Sequence, residues 1–105
     1  MAINTADDIP SLLSGTVTVP QHVVYRSFPS ETVVLNLETG KYHGLNATAG
    51  RMLEILEQAA TVQDAVVALA SGYDQPESVV QLDLCELCNA LLERGLIKID
   101  GLADS

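Results

Sequence analysis

The chain has 105 residues, room for one domain and little more, and 48% of them are hydrophobic, enough for a real core. With three Tyr, one Phe and no Trp, that core is aliphatic and offers little on which nucleic-acid bases could stack. Five Lys and Arg against fourteen Asp and Glu give a formal net charge of −9, which repels phosphate backbones and argues against a nucleic-acid ligand.

The same charge suits a basic or mixed-charge peptide, and it equally suits a plain solubilising surface. No apolar run is long enough to span a bilayer. The segment Met1 to Leu13 lacks a basic n-region and carries Asp7 and Asp8, so it does not read as a signal peptide. The expectation is a cytoplasmic protein.

In chain order, residues 1–16 mix polar, small and isolated apolar residues around Pro10 and Gly15, and predict a flexible arm. Val17-Thr18-Val19 starts a strand that Pro20 interrupts. His22 to Arg26 is a better strand, ending before Pro29-Ser30. Thr32 to Leu37 and Lys41 to Leu45 form a hairpin around Glu38-Thr39-Gly40, with Gly40 free to take positive φ. Three antiparallel strands result.

Asn46 caps a first helix, whose stripe is Ala49, Met52, Leu53 and Leu56 and which ends near residues 58–60. Thr61 caps a second, with Asp64 three residues on; Val62, Ala65, Val66, Leu69 and Ala70 share a face, and Gly72 closes it. Pro76 suits the first turn of a third helix that runs to about Arg94 and stops at Gly95. Its apolar arc (Val79, Val80, Leu82, Leu84, Cys85, Leu87, Cys88, Leu91, Leu92) is wide enough for contacts on two sides. Leu96 to Ile99 adds a short strand or folds back on the core. The fold class is α+β, winged helix-turn-helix-like: a three-stranded antiparallel sheet followed by three helices. The domain spans residues 17–100, with a tail at 101–105.

The motifs carry little chemistry. Cys85 and Cys88 form a C-x-x-C, but mid-helix and among leucines rather than at a helix N-terminus, where a thiol pKa falls. A zinc site needs two further ligands, and only His22 and His43 exist. The pair reads as two small buried hydrophobes. His43 has no neighbouring Ser, Cys or Asp to complete a nucleophilic set, so it is structural or faces a ligand groove. Gly40, Gly44 and Gly50 lack the spacing and the Lys-Ser/Thr pair of a phosphate loop. Gly44 lets another backbone come close or marks a bulge. Asp83 belongs to a solvated face or pairs with a basic side chain on a bound peptide. No cofactor, metal or catalytic residue is expected, and the residues describe a small binding module.

The run Val34-Leu35-Asn36-Leu37, then Gly40-Lys41-Tyr42-His43-Gly44-Leu45-Asn46, then Thr61-Val62, Tyr73, Asp83 and Leu91-Leu92 with Gly95-Leu96-Ile97 resembles the PqqD-like family of peptide chaperones, or RiPP recognition elements. The similarity covers about His22 to Ile99. It implies a winged helix-turn-helix-like fold without catalysis. It also implies that the leader of a ribosomally made precursor peptide adds as a strand to the sheet edge, in the cleft between the third strand and the third helix. The pairing strand would be Lys41, Tyr42, His43, Gly44 and Leu45, and the helix wall Val79, Val80, Asp83, Leu84 and Leu87. Which strand residues face the cleft stays open, because Leu45 can turn into the core. A short stand-alone chain with this hairpin looks most like the lasso-peptide type. Its partners would be a cysteine-protease-like leader peptidase and an ATP-dependent cyclase. Two other readings compete: a winged-helix DNA-binding regulator, set against Glu77, Asp83, Glu86 and Glu93 on the third helix, and a homodimeric adaptor that uses the same edge.

Overall fold

The computed structural model describes residues 12–101. Residues 1–11 of the expected arm and 102–105 of the expected tail lie outside the described residues. The rest of that arm is part of the folded domain, because Leu12 is fully buried and Thr16 opens the first strand. The element order is β1 (Thr16–Thr18), β2 (Val23–Ser27), β3 (Glu31–Asn36), β4 (Tyr42–Asn46), α1 (Ala47–Gln58), α2 (Val62–Tyr73), α3 (Glu77–Glu93) and β5 (Lys98–Asp100). The expected α+β arrangement of a three-stranded antiparallel sheet followed by three helices is what forms.

The sheet order is β2-β3-β4, so β3 is central and the other two strands are edges. β1 and β5 make a separate antiparallel pair, with Val17 opposite Ile99. This pair resolves the ambiguity of the C-terminal apolar run: Leu96 and Ile97 enter the core and the next three residues form the strand. Two hydrogen bonds anchor β1 to the α1–α2 connection, from the Val62 N–H to the Gly15 carbonyl (2.8 Å) and from the Thr16 hydroxyl to the Ala60 carbonyl (2.7 Å).

The hairpin turn is built by Asn36 as much as by Gly40. The Asn36 carboxamide oxygen accepts from the N–H groups of Glu38 (2.9 Å) and Thr39 (3.3 Å), and its carbonyl accepts from the Gly40 N–H. Gly40 takes φ +74 as expected. These bonds explain why a buried polar residue, Asn36, sits at the end of β3 on the core face.

The caps fall largely where the sequence places them. The Asn46 side chain accepts from the Ala49 N–H (2.8 Å), and Thr61 accepts from the Asp64 N–H (3.2 Å). Pro76 sits one step ahead of the helical residues, as the N-cap of α3. Gly95, at φ +69, ends α3 in a double closure: the Leu96 N–H reaches the Leu91 carbonyl and the Gly95 N–H reaches that of Leu92. Gly72 is a correction. α2 continues through Gly72 to Tyr73, and Asp74 instead takes the left-handed conformation at φ +53, which Asp tolerates better than most residues.

One cluster holds the layers together. α1 contributes Met52, Leu53 and Leu56, α2 its whole expected stripe, and α3 Val80, Leu84, Cys85, Cys88 and Leu91. From the strands come Val17, Val23, Val34 and Leu45. Gly50 lets α1 lie close on β3, since a Cβ there would collide with the Thr32 side chain. The α3 arc is wider than its burial: Val79 is 45% exposed and Leu82 53%.

Candidate functional site

The site grows from the register of the sheet. The Asn36 N–H donates to the Lys41 carbonyl (3.0 Å), which closes the β3–β4 hairpin. In an antiparallel ladder, hydrogen-bonded pairs recur at every second residue. The next such pairs are therefore Val34 with His43 and Thr32 with Leu45, matching the strand register. On the other side of β3, the bonds from Phe28 N–H to Glu31 and from Leu37 N–H to His22 assign the odd-numbered β3 residues to β2. The main-chain groups of Tyr42 and Gly44 then point away from the sheet. Among the described residues, none of the turn, loop or cap hydrogen bonds reaches them.

A groove opens among the helices that follow this edge. Asn46 ends β4 and caps α1, so Thr48 lies two residues beyond the strand. Thr48 and Met52 of α1 line a groove of about 210 Å³ with Leu69 and Tyr73 of α2, Gln75, and Val79, Val80 and Asp83 of α3. The lining is apolar apart from Thr48, Gln75, the Tyr73 hydroxyl and the Asp83 carboxylate, the one charged side chain in it. The groove thus pairs an apolar lining with one negative charge at Asp83.

The outer face of the sheet is the second unusual surface. Side chains alternate along a strand, so Val34 and Leu45 face the core while Val33, Leu35, Tyr42 and Gly44 face out. Val24, Arg26, Phe28, Val33, Leu35 and Tyr42, together with Tyr25, border a shallow concavity of about 410 Å³. Phe28 is 50% exposed and Tyr42 70%. Glycine within this strand weakens pairing by roughly 0.5–1 kcal/mol relative to alanine.

Burial governs the titratable groups that are shifted. Burial pushes the Cys88 thiol up to about 12, with a smaller contribution from Cys85, and burial raises Cys85 too. Both thiols are buried and free, the condition of inert core cysteines. Tyr25 is raised by burial and by its hydrogen bond to Glu57 on α1. His22 lies 3.7 Å from Glu38 at the turn. Among the described residues, no three His, Cys, Asp or Glu are placed to hold a metal ion, and no helix is long and apolar enough to cross a membrane.

The sequence matches the family model of Coenzyme PQQ synthesis protein D (PqqD) over residues 31–97. The chain belongs to the PqqD family. That span begins at β3 and ends just before β5, so it holds the free edge and the groove. Two solved structures are similar over most of the chain. TbiB1 in complex with the TbiA(beta) leader peptide is 31% identical with a TM-score of 0.70, covering 83% of this chain and 99% of that one. A lasso peptide synthetase B1 complexed with the leader peptide has a TM-score of 0.70 at 22% identity, covering 78% and 96%, and shares the fold. No curated protein matches the sequence.

Within this PqqD-family chain, the residues singled out from sequence occupy different places. Tyr42 and Gly44 present the free edge. Lys41 precedes β4 and spends its carbonyl on the turn, and His43 and Leu45 pair with β3. Leu45 does turn into the core. On α3, Val79, Val80 and Asp83 come together in the groove. Leu84 is 0% exposed, so it supports the helix from within instead of forming a wall. Leu87 is half-buried and packs against the core. Sequence reasoning missed Thr48, Met52, Leu69, Tyr73 and Gln75, which join the groove only through the packing of three helices. It also missed the outer face. Its signal is the unbroken run Val33-Val34-Leu35, apolar toward both faces where a half-buried strand alternates.

Proposed function

We propose that the chain is a non-catalytic recognition module for the leader region of a ribosomally made precursor peptide. The leader adds as a fourth strand to β4, pairing with the N–H and C=O groups of Tyr42 and Gly44. One row of its side chains enters the groove between α1, α2 and α3. Main-chain bonds of about 1 kcal/mol each supply part of the affinity, and the groove supplies selection. Asp83 receives a basic side chain at the groove rim.

The observation that carries this reading is the unpaired edge of β4, followed two residues later by Thr48 in a largely apolar groove with a single carboxylate. Membership of the PqqD family supports it, as does likeness to a structure that holds a leader peptide. The product class is a lasso peptide. The module acts in the cytoplasm, where it presents the leader to a cysteine-protease-like peptidase before an ATP-dependent cyclase closes the ring. The DNA-binding alternative gains nothing from the structure, since Glu77, Asp83, Glu86 and Glu93 on α3 are all exposed.

The test is fluorescence polarisation with the synthetic leader of the precursor encoded beside this gene. Saturable binding is expected, competed by unlabelled leader. Absence of binding overturns the proposal.

A further inference from the structure

Gly44 has no structural reason to be glycine. It does not adopt positive φ, and a Cβ built on it meets only the Glu31 carboxylate, at the ordinary contact distance of 3.9 Å. It differs in this from Gly50, whose Cβ would strike Thr32. Gly44 also sits in the middle of a strand, is exposed, and is paired in regular register with Val33. No bulge explains it.

The missing side chain leaves a gap in the outer row of β4, between Tyr42 and Asn46. That gap opens beside Val33, at the rim of the apolar concavity. A strand added to β4 places one residue directly opposite Gly44, with its side chain on this same outer face. Glycine on an edge strand is best covered by a large side chain from its cross-strand neighbour, an aromatic one above all.

We infer that Gly44 is a specificity-determining residue. Its gap accepts one large apolar side chain of the incoming peptide, which lies across the glycine onto Val33 and Tyr42. This rests on the strand-addition reading above and deepens it. The peptide is read on two faces: the groove takes one row of side chains, and the gap takes a single member of the other row. Occupied, the gap joins the peptide to the apolar surface of Val33, Leu35 and Phe28.

The test compares the wild type with Gly44→Ala and Gly44→Val, using the fluorescein-labelled synthetic leader of the precursor encoded beside this gene. Both variants are expected to fold with unchanged circular dichroism and a Tm no lower than the wild type, because the space is open and valine favours strands. Gly44→Val is expected to weaken binding about tenfold or more, and Gly44→Ala less, since the pocket for one alternate side chain is filled. An alanine scan of the leader should find one position whose loss weakens binding to the wild type yet barely changes binding to Gly44→Val. Wild-type binding with an undiminished Gly44→Val overturns the inference and leaves strand addition standing. A marked fall in Tm for Gly44→Ala overturns it too, by making the glycine structural. No binding by the wild type overturns the recognition reading and this inference with it.

Discussion

The sheet ends in two edge strands that are finished in different ways. β2 is tied down by its own chain. The Val23 N–H donates to the Pro20 carbonyl at 3.0 Å, the Tyr25 hydroxyl donates to Glu57 of α1, and Arg26 places a charge on the strand. Pro29 follows soon after. β4 has none of these devices: Tyr42, Gly44 and Asn46 show no charge, proline or bulge, and Thr48, two residues past the strand, lines a groove. Exposed edges of this kind invite pairing by another chain. The fold protects the β2 edge and leaves the β4 edge open, and that contrast is what the strand-addition proposal rests on.

The strongest way to break this comparison is a proline on each edge. The N–H of Gly44 points away from β3, so Gly44→Pro should leave the fold intact while removing a donor that the added strand needs. Leader binding is expected to fall roughly 100-fold or more, because one bond is lost and the ring obstructs pairing along the whole edge. Ser27→Pro, at a free-edge position of β2, is expected to leave binding unchanged. Equal losses would erase the distinction between the edges.

A smaller effect is expected on the groove wall. Asp83→Lys should weaken leader binding about tenfold, as a like charge meets a basic group. Glu86→Lys, one turn along and exposed, should change it less than about twofold. Fluorescence polarisation at low and high salt separates the two, with the difference shrinking as salt rises.

On the closed edge the effect is on stability alone. Tyr25→Phe removes the bond to Glu57 and is expected to cost about 0.5–1.5 kcal/mol in urea unfolding, with unchanged leader affinity. The smallest effect is silent at neutral pH. The Cys88 thiol is raised from its ordinary value of 9.0 to about 12 in the folded chain. The unfolded chain therefore releases that proton first, so the stability contribution is complete below pH 9 and is lost as pH rises toward 12. Thiol titration at pH 8 should find both cysteines unreactive until the protein is unfolded.

Much of this was legible in the sequence, for identifiable reasons. Caps at Asn46 and Thr61, the stop at Gly95 and the α2 stripe are local signals, and local chemistry decides them. Gly72 failed because a neighbour, Asp74, could take the left-handed turn one residue after a longer helix. β1 and β5 pair across more than eighty residues, which no local pattern announces. The hairpin was visible as two strands, but the phase of its ladder was not. That phase depends on the Asn36 to Lys41 bond, and it decides that Tyr42 and Gly44, not His43 and Leu45, face outward. Most of the groove was equally hidden: Met52 and Leu69 look like ordinary stripe residues until α3 packs beside them.

The phase of that ladder is also where the central claim is most directly tested. Amide hydrogen exchange by NMR, with and without the synthetic leader, reads each β4 residue separately. His43 and Leu45 should be protected in the free protein through β3, while Tyr42 and Gly44 exchange freely and become protected when the leader binds. A leader that binds while the Tyr42 and Gly44 amides keep exchanging at the free rate would contradict strand addition at β4.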